Sequence, residues 1–162
     1  MVTAGFHPEH GITFLIRRAN PGDIPAIVPL EVMAFTDPWG ESGIREAMEL
    51  YLSSFFVAVA HGKIIGFCGG GIEDTGDVIY GHLCTLAVAD EYRHKGVGRE
   101  LLRWIEDDLR QKGAAAIQLE VRISNHSAIT FYKRLGYQEI FCYDSYYKDG
   151  EDGLVMMRWF ST

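Results

Sequence analysis

The segment Arg93-His94-Lys95-Gly96-Val97-Gly98-Arg99 gathers three basic side chains around two glycines. At the start of a helix, such a turn offers unpaired backbone N–H groups and the positive end of the helix dipole, which together bind anions. Gly96 and Gly98 leave those groups bare for a diphosphate, while Arg93, Lys95 and Arg99 neutralise its charge. Two better-known phosphate motifs fail at single places. A dinucleotide-binding fingerprint needs a third glycine where Leu101 stands, although Glu120 lies at about the right distance for its acid. A Walker loop needs Gly-Lys-Ser or Gly-Lys-Thr, and the chain has neither triplet.

A second group of residues has the chemistry for proton transfer. In Leu119-Glu120-Val121-Arg122-Ile123, read as a strand, Glu120 and Arg122 share the face opposite the three apolar residues. A carboxylate there is costly unless it is paired or lines a cleft. Glu120 is therefore either half of an in-strand pair with Arg122, or a cleft carboxylate whose pKa burial raises towards that of a general base. Tyr132 follows on a short helix, where its phenol is either a core aromatic or a proton donor to a leaving group.

The elements that must position these groups follow from periodicity. Residues 12–17 read as a strand, and Asn20-Pro21-Gly22-Asp23 starts a helix carrying Ile24, Ile27, Val28 and Leu30. Ser42 is the expected cap of a second helix reaching about Leu52. Strands are expected over 55–60, 64–72 and 78–88, with a hairpin turn at His61-Gly62-Lys63. Val97, Leu101, Ile105 and Leu109 mark an amphipathic helix over 96–112, closed by Gly113. A strand at 116–123, a helix at 127–135 and strands near 137–144 and 153–160 complete an α+β chain with a mixed, mostly antiparallel sheet. Its one β-α-β crossover runs through 78–88, 96–112 and 116–123.

Composition narrows the function classes. A chain of 162 residues makes one domain, expected over 12–160 behind a flexible tail at 1–11. Fifteen basic against twenty-two acidic side chains give a net charge of −7, which argues against nucleic-acid and anionic-membrane surfaces and suits cationic partners. Cys68, Cys84 and Cys142 form no Cys-x-x-Cys pair and read as reduced, buried thiols of a cytoplasmic protein. No signal peptide or membrane span is legible. His7-Pro8-Glu9-His10 lacks further ligands at suitable spacing, so no metal is expected. The eighteen glycines exceed the usual ~7%; Gly62, Gly69, Gly70, Gly71 and Gly113 are read as serving backbone shape.

Together the motifs carry a resemblance. From about Ile12 to Arg158 the chain resembles the GCN5-related N-acetyltransferase (GNAT) superfamily, and within it the RimI-type and archaeal Ard1-type protein N-terminal acetyltransferases. The resemblance rests on L-E-x-x-x-F-x-x-P-W at 30–39, G-H-L-C-T-L-A-V at 81–88, E-Y-R-H-K-G-V-G at 91–98, L-E-V-R-I-S-N at 119–125, F-Y-K-R-L-G-Y at 131–137 and Y-Y-K-D-G-E-D at 146–152. It implies a GNAT fold of six to seven strands and about four helices, splayed at an acetyl-CoA site. It also implies that Leu86, Ala87 and Val88 bind the pantetheine arm through their backbone. The amides of His94 to Arg99, Val97 included, would hold the pyrophosphate, and Asn125 would also touch the cofactor. Glu120 matches the proton acceptor and Tyr132 the proton donor. His82 matches a histidine implicated in deprotonating the amine, or is a hydrogen-bonded strand histidine.

The implied reaction is direct acetyl transfer from acetyl-CoA to the α-amino group of a protein or peptide N-terminus, with no metal and no acetyl-cysteine. The acceptor groove is expected to use the 31–39 loop, with Phe35 and Trp39, and the Tyr146-Tyr147 hairpin, in a monomer or homodimer. The chain departs from the family at Gly153, where alanine is usual, and in the aromatic spacing of its second helix. A small amine or lysine acceptor, or a non-catalytic acetyl-CoA-binding module, is compatible with the same cofactor motif.

Overall fold

The computed structural model describes residues 3–7 and 11–161. Strands β1 (Thr3–His7) and β2 (Ile12–Arg18) lead to helices α1 (Ile24–Ala34) and α2 (Gly40–Glu46). Strands β3 (Ser54–Ala60), β4 (Lys63–Asp74) and β5 (Ile79–Val88) follow, then helix α3 (Val97–Gln111) and strand β6 (Ala116–Arg122). Helix α4 (His126–Arg134) and strands β7 (Gln138–Tyr143) and β8 (Gly153–Trp159) close the chain. The sheet order is β1-β2-β3-β4-β5-β6-β8-β7, and among the described residues only the β5–β6 pair is parallel.

The eighth strand comes from the segment expected to be a tail: Thr3–His7 pairs antiparallel with Ile12–Ile16 at the sheet edge. Most of His7-Pro8-Glu9-His10 lies outside the described residues. No helix among the described residues is long and apolar enough to cross a membrane.

The sheet separates two cores. On one face, α3 buries Val97, Leu101, Leu102, Ile105 and Leu109 against Phe56, Ala58, Cys68 and Ile117. On the other, α1 and α2 bury Ile24, Ile27 and Ile44 against Phe55, Val57, Phe67 and Ala87. The four-residue spacing read from the sequence is thus the buried stripe of α3, and Gly113 (φ +100°) ends that helix in the left-handed conformation.

The second helix departs from expectation. It begins at Gly40 with no side-chain cap from Ser42, and its last five residues, Ala47–Tyr51, form a π turn. Its start is served instead by Glu31 of α1, only 2% exposed, which accepts hydrogen bonds from the N–H groups of Trp39 (2.7 Å) and Gly40 (3.0 Å). Of the three thiols, only Cys68 is buried; Cys84 is half-buried and Cys142 exposed.

Two irregularities of β5 shape the site. The strand pairs with β6 only at Gly81↔Ile117 and His82↔Gln118, so the two strands part beyond that point. Its register with β4 also slips. Gly70 faces Leu83 while Gly69 faces Thr85, leaving Cys84 as the extra residue of a β-bulge. Leu83 belongs to the α3 core and Ala87, an even number of residues later, to the α1–α2 core. The bulge reverses the alternation.

Candidate active site

The fork between β5 and β6 holds an ion pair at its apex. His82 on β5 and Glu120 on β6 both point away from α3, and His82 Nε2 lies 2.7 Å from Glu120 Oε2. Their side chains are 23% and 14% exposed, so the pair is shielded but reachable. Gln118 donates a long 3.5 Å bond to the other Glu120 oxygen. On the solvent side, the Glu73 carboxylate of β4 stands 3.6 Å from His82 Nδ1. The imidazole is raised to about 10, because the Cys84 sulfur and the Glu120 carboxylate favour the cation while burial opposes it.

Of the two alternatives for Glu120, the in-strand pair with Arg122 is not formed. Glu120 takes His82 as its partner, and Arg122 turns to Asp149 (2.8 Å), Glu151 (2.9 Å) and Asp37 (3.4 Å). Residues two apart on a strand share a face, but the parted neighbouring strand brings His82 closer to Glu120 than Arg122 is.

Tyr132 lies on the α3 side of the sheet. It is buried in the α3 core, edge-on to Phe131 (5.1 Å) and Tyr137 (5.5 Å), and burial pushes its phenol well above the ordinary value. It is both the core aromatic and a phenol that stays protonated. Glu120 and Tyr132 therefore lie on opposite faces of the sheet.

Leu86, Ala87 and Val88 run along the part of β5 that β6 has left, so that edge of their backbone lacks a strand partner. The turn after β5 leads into the α3 N-terminus, with His94 (φ +62°) and Gly96 (φ +86°) both left-handed. Backbone of alternating hand is the pattern in which successive N–H groups can converge on an anion. Arg93 is exposed, and Asp90 is its salt-bridge partner at a loose 3.9 Å. A methyl group at Gly98 would meet Phe131 at 3.5 Å and Val88 at 3.7 Å, ordinary contacts. Packing within the chain thus leaves Gly98 free to be larger, and the missing side chain instead keeps the helix N-terminus open beside Lys95 and Arg99.

Asn125 has a structural role as well as its proposed one: its side chain caps α4 by accepting from the Ala128 N–H at 3.2 Å. Phe35 and Trp39 are partly exposed in the loop that Glu31 holds, and Tyr146 and Tyr147 stand edge-to-face at 4.9 Å between β7 and β8. The structure thus groups His82 with Glu120 and places both aromatic pairs on flanking loops. Glu31, Glu73 and Gln118 received no role from the sequence. Glu31 was legible as the acid of the 30–39 motif; Glu73 and Gln118 become neighbours of the pair only through strand register.

Residues 24–137 match the model of the acetyltransferase (GNAT) family. The chain belongs to the GNAT family. It is 32% identical to an N-alpha-acetyltransferase of Sulfurisphaera tokodaii over 157 residues, covering 91% of this chain and 94% of that protein. Its fold is similar to that of Ard1 from Thermoplasma volcanium, with a TM-score of 0.85, 25% identity and coverage of 92% and 99%. It is also similar to the ribosomal-protein-S18-alanine N-acetyltransferase from Escherichia coli, with a TM-score of 0.79, 30% identity and coverage of 92% and 95%. The expected fold and superfamily are borne out, and the β5–β6 fork lies where this GNAT chain was expected to splay.

The ion pair at the fork has a consequence for stability. His82, raised from 6.5 to about 10, holds its proton more tightly in the folded chain than in the unfolded one. Its contribution is complete below about pH 6.5 and is lost as the pH climbs through about 10. The melting-temperature gap between wild type and His82→Gln is therefore expected to be widest at low pH and to close above that window. A gap that stays constant from about pH 6 to 10 would mean that His82 is neutral in the folded protein.

Proposed function

We propose that this chain transfers an acetyl group from acetyl-CoA to the α-amino group of a protein or peptide N-terminus. The observation that carries the reading is the His82–Glu120 pair at the apex of the parted strands, with the left-handed turn at His94 and Gly96 following the far end of β5. The names of the Sulfurisphaera tokodaii and Escherichia coli relatives support an N-terminal acceptor. The reading also places the chain in the reducing cytoplasm, in keeping with its three unpaired thiols.

The residues fit acetyl-CoA in three ways. The unpaired edge of Leu86–Val88 offers backbone groups to an extended arm. The amides of His94 to Arg99, with the charges of Arg93, Lys95 and Arg99, suit a diphosphate. Asn125 spends its Oδ1 on the α4 cap, and its side-chain NH2 is the group proposed to reach the cofactor. When bound, acetyl-CoA supplies an activated thioester as acyl donor.

An α-amino group has a pKa near 8, so it arrives largely as ammonium. Glu120 accepts its proton, His82 holds Glu120 in place, and Glu73 at the solvent edge offers the proton a way out. The freed amine would attack the thioester carbonyl: a C–N bond forms, the C–S bond breaks, and the second proton that the nitrogen sheds as the amide forms replaces the one that Tyr132 gives up. Tyr132, kept protonated by burial, donates to the departing sulfur. Phe35, Trp39, Tyr146 and Tyr147 are the residues proposed to line the acceptor's approach.

An acetylation assay over peptides beginning with Ala, Ser, Met or Lys, with polyamines in parallel, tests this reading. Acetylation of peptide α-amines supports it; transfer to polyamines alone overturns it. The anion site has its own test in Gly98→Ala. The added methyl meets only ordinary contacts, and alanine favours a helix by about 1 kcal/mol over glycine, so the melting temperature should hold or rise. Acetyl-CoA affinity, measured by calorimetry, should nevertheless fall by about tenfold or more, the loss of about 1.4 kcal/mol. Unchanged affinity would remove Gly98 from the site.

A further inference from the structure

Arg122, the last residue of β6, gathers groups that are far apart in sequence. Its guanidinium donates to Asp149 (2.8 Å) and Glu151 (2.9 Å) of the β7–β8 loop and to Asp37 (3.4 Å) of the α1–α2 loop. It also lies 4.1 Å from the centre of the Tyr147 ring. Glu151 is fastened again by Ser124, whose N–H donates at 3.0 Å and whose hydroxyl donates to the same oxygen. With these partners the Glu151 carboxyl is lowered to about 2, so it stays charged through any working pH.

The two loops joined by Arg122 are those that carry Phe35 and Trp39 on one side and Tyr146 and Tyr147 on the other. Tyr146 rests directly on Gly153, where a side chain's first carbon would lie 3.0 Å from its Cβ and ring. Its phenol is raised by burial and by the charge of Glu120, the active-site carboxylate. Arg122 shares a strand face with Glu120 two residues away, so the Tyr147 ring stacked on its guanidinium, and Tyr146 against that ring, are tied to the strand that carries the ion pair.

We propose that Arg122 is a positioning residue for the acceptor: by clasping both loops it sets the width of the entrance in front of His82 and Glu120. The inference rests on the reading that a peptide amine enters there. One cation among three carboxylates leaves the cluster net negative, so loss of the clasp lets Asp37 repel Asp149 and Glu151 and opens the entrance. Lysine does not replace it, because a single ammonium has neither the planar fork for two carboxylates nor the flat face for Tyr147.

The test is steady-state kinetics of wild type, Arg122→Lys and Asp37→Asn with a peptide acceptor whose α-amine is free, alongside calorimetry with acetyl-CoA and thermal melts. For Arg122→Lys the acceptor KM should rise by about tenfold while acetyl-CoA affinity stays within about twofold. Asp37→Asn weakens the charge-assisted contact between the loops at an exposed position without adding repulsion, and should raise the acceptor KM by less, with an unchanged melting temperature. An unchanged acceptor KM in both variants overturns the proposal. So does a parallel loss of acetyl-CoA affinity and melting temperature, which would mark Arg122 as purely structural. A wild-type protein that acetylates no peptide overturns the functional reading itself, a result distinct from either.

Discussion

Glu120→Gln is expected to lower kcat by about 10²- to 10⁴-fold, the usual worth of a positioned general base. Glutamine matches glutamate in size and still reaches His82, so the fork should keep its shape. What it lacks is a basic oxygen for the ammonium proton. Acetyl-CoA affinity, measured by calorimetry, should stay within about threefold of wild type, because the anion-binding turn lies at the other end of β5. His82→Gln should cost less alone, since Glu120 remains. The double variant should be no slower than Glu120→Gln, because two residues that act as one unit do not add. Steady-state rates at saturating acetyl-CoA check all three. A Glu120→Gln enzyme with wild-type kcat would return Glu120 to the rank of a structural ion-pair partner.

What was legible in the chain was local. The stripe of Val97, Leu101, Ile105 and Leu109 needs only its own periodicity, and it is buried as expected. The turn at 93–99 is recognisable because strand, charges, glycines and helix follow one another within a few residues. Glu120 and Arg122 were rightly placed on one face, yet whether they pair was left open, since sharing a face does not choose between neighbours on the next strand or loop. Arg122 finds Asp37 85 residues away, and no local pattern encodes that. Glu31 caps a helix nine residues on with a side chain, so the start of α2 moved from Ser42 to Gly40. The bulge at Cys84 was hidden for another reason. A slip in register leaves hydrophobic alternation apparently intact on paper while reversing which residues face which core.

Gly70→Ala is expected to damage both stability and turnover, and the bulge explains why. A methyl group at this position would lie 2.4 Å from the carbonyl oxygen of His82 and 3.1 Å from the tip of Ile105. The isoleucine can turn aside, whereas the carbonyl is backbone. It can retreat only by shifting β5 at the bulge, where His82 is aimed at Glu120. Overpacking of this kind typically costs about 1–3 kcal/mol, so a clear drop in melting temperature should follow. The same shift moves the imidazole out of its 2.7 Å contact, and kcat should fall by at least about tenfold, a barrier change of about 1.4 kcal/mol. Gly98→Ala supplies the contrast, with stability held and cofactor affinity lost. A Gly70→Ala protein that melts lower but turns over normally would show that the bulge supports the sheet without setting the catalytic pair. One that keeps both properties would mean that β4 and β5 re-register around the methyl group, and that His82 is aimed by Glu120 rather than by its own strand.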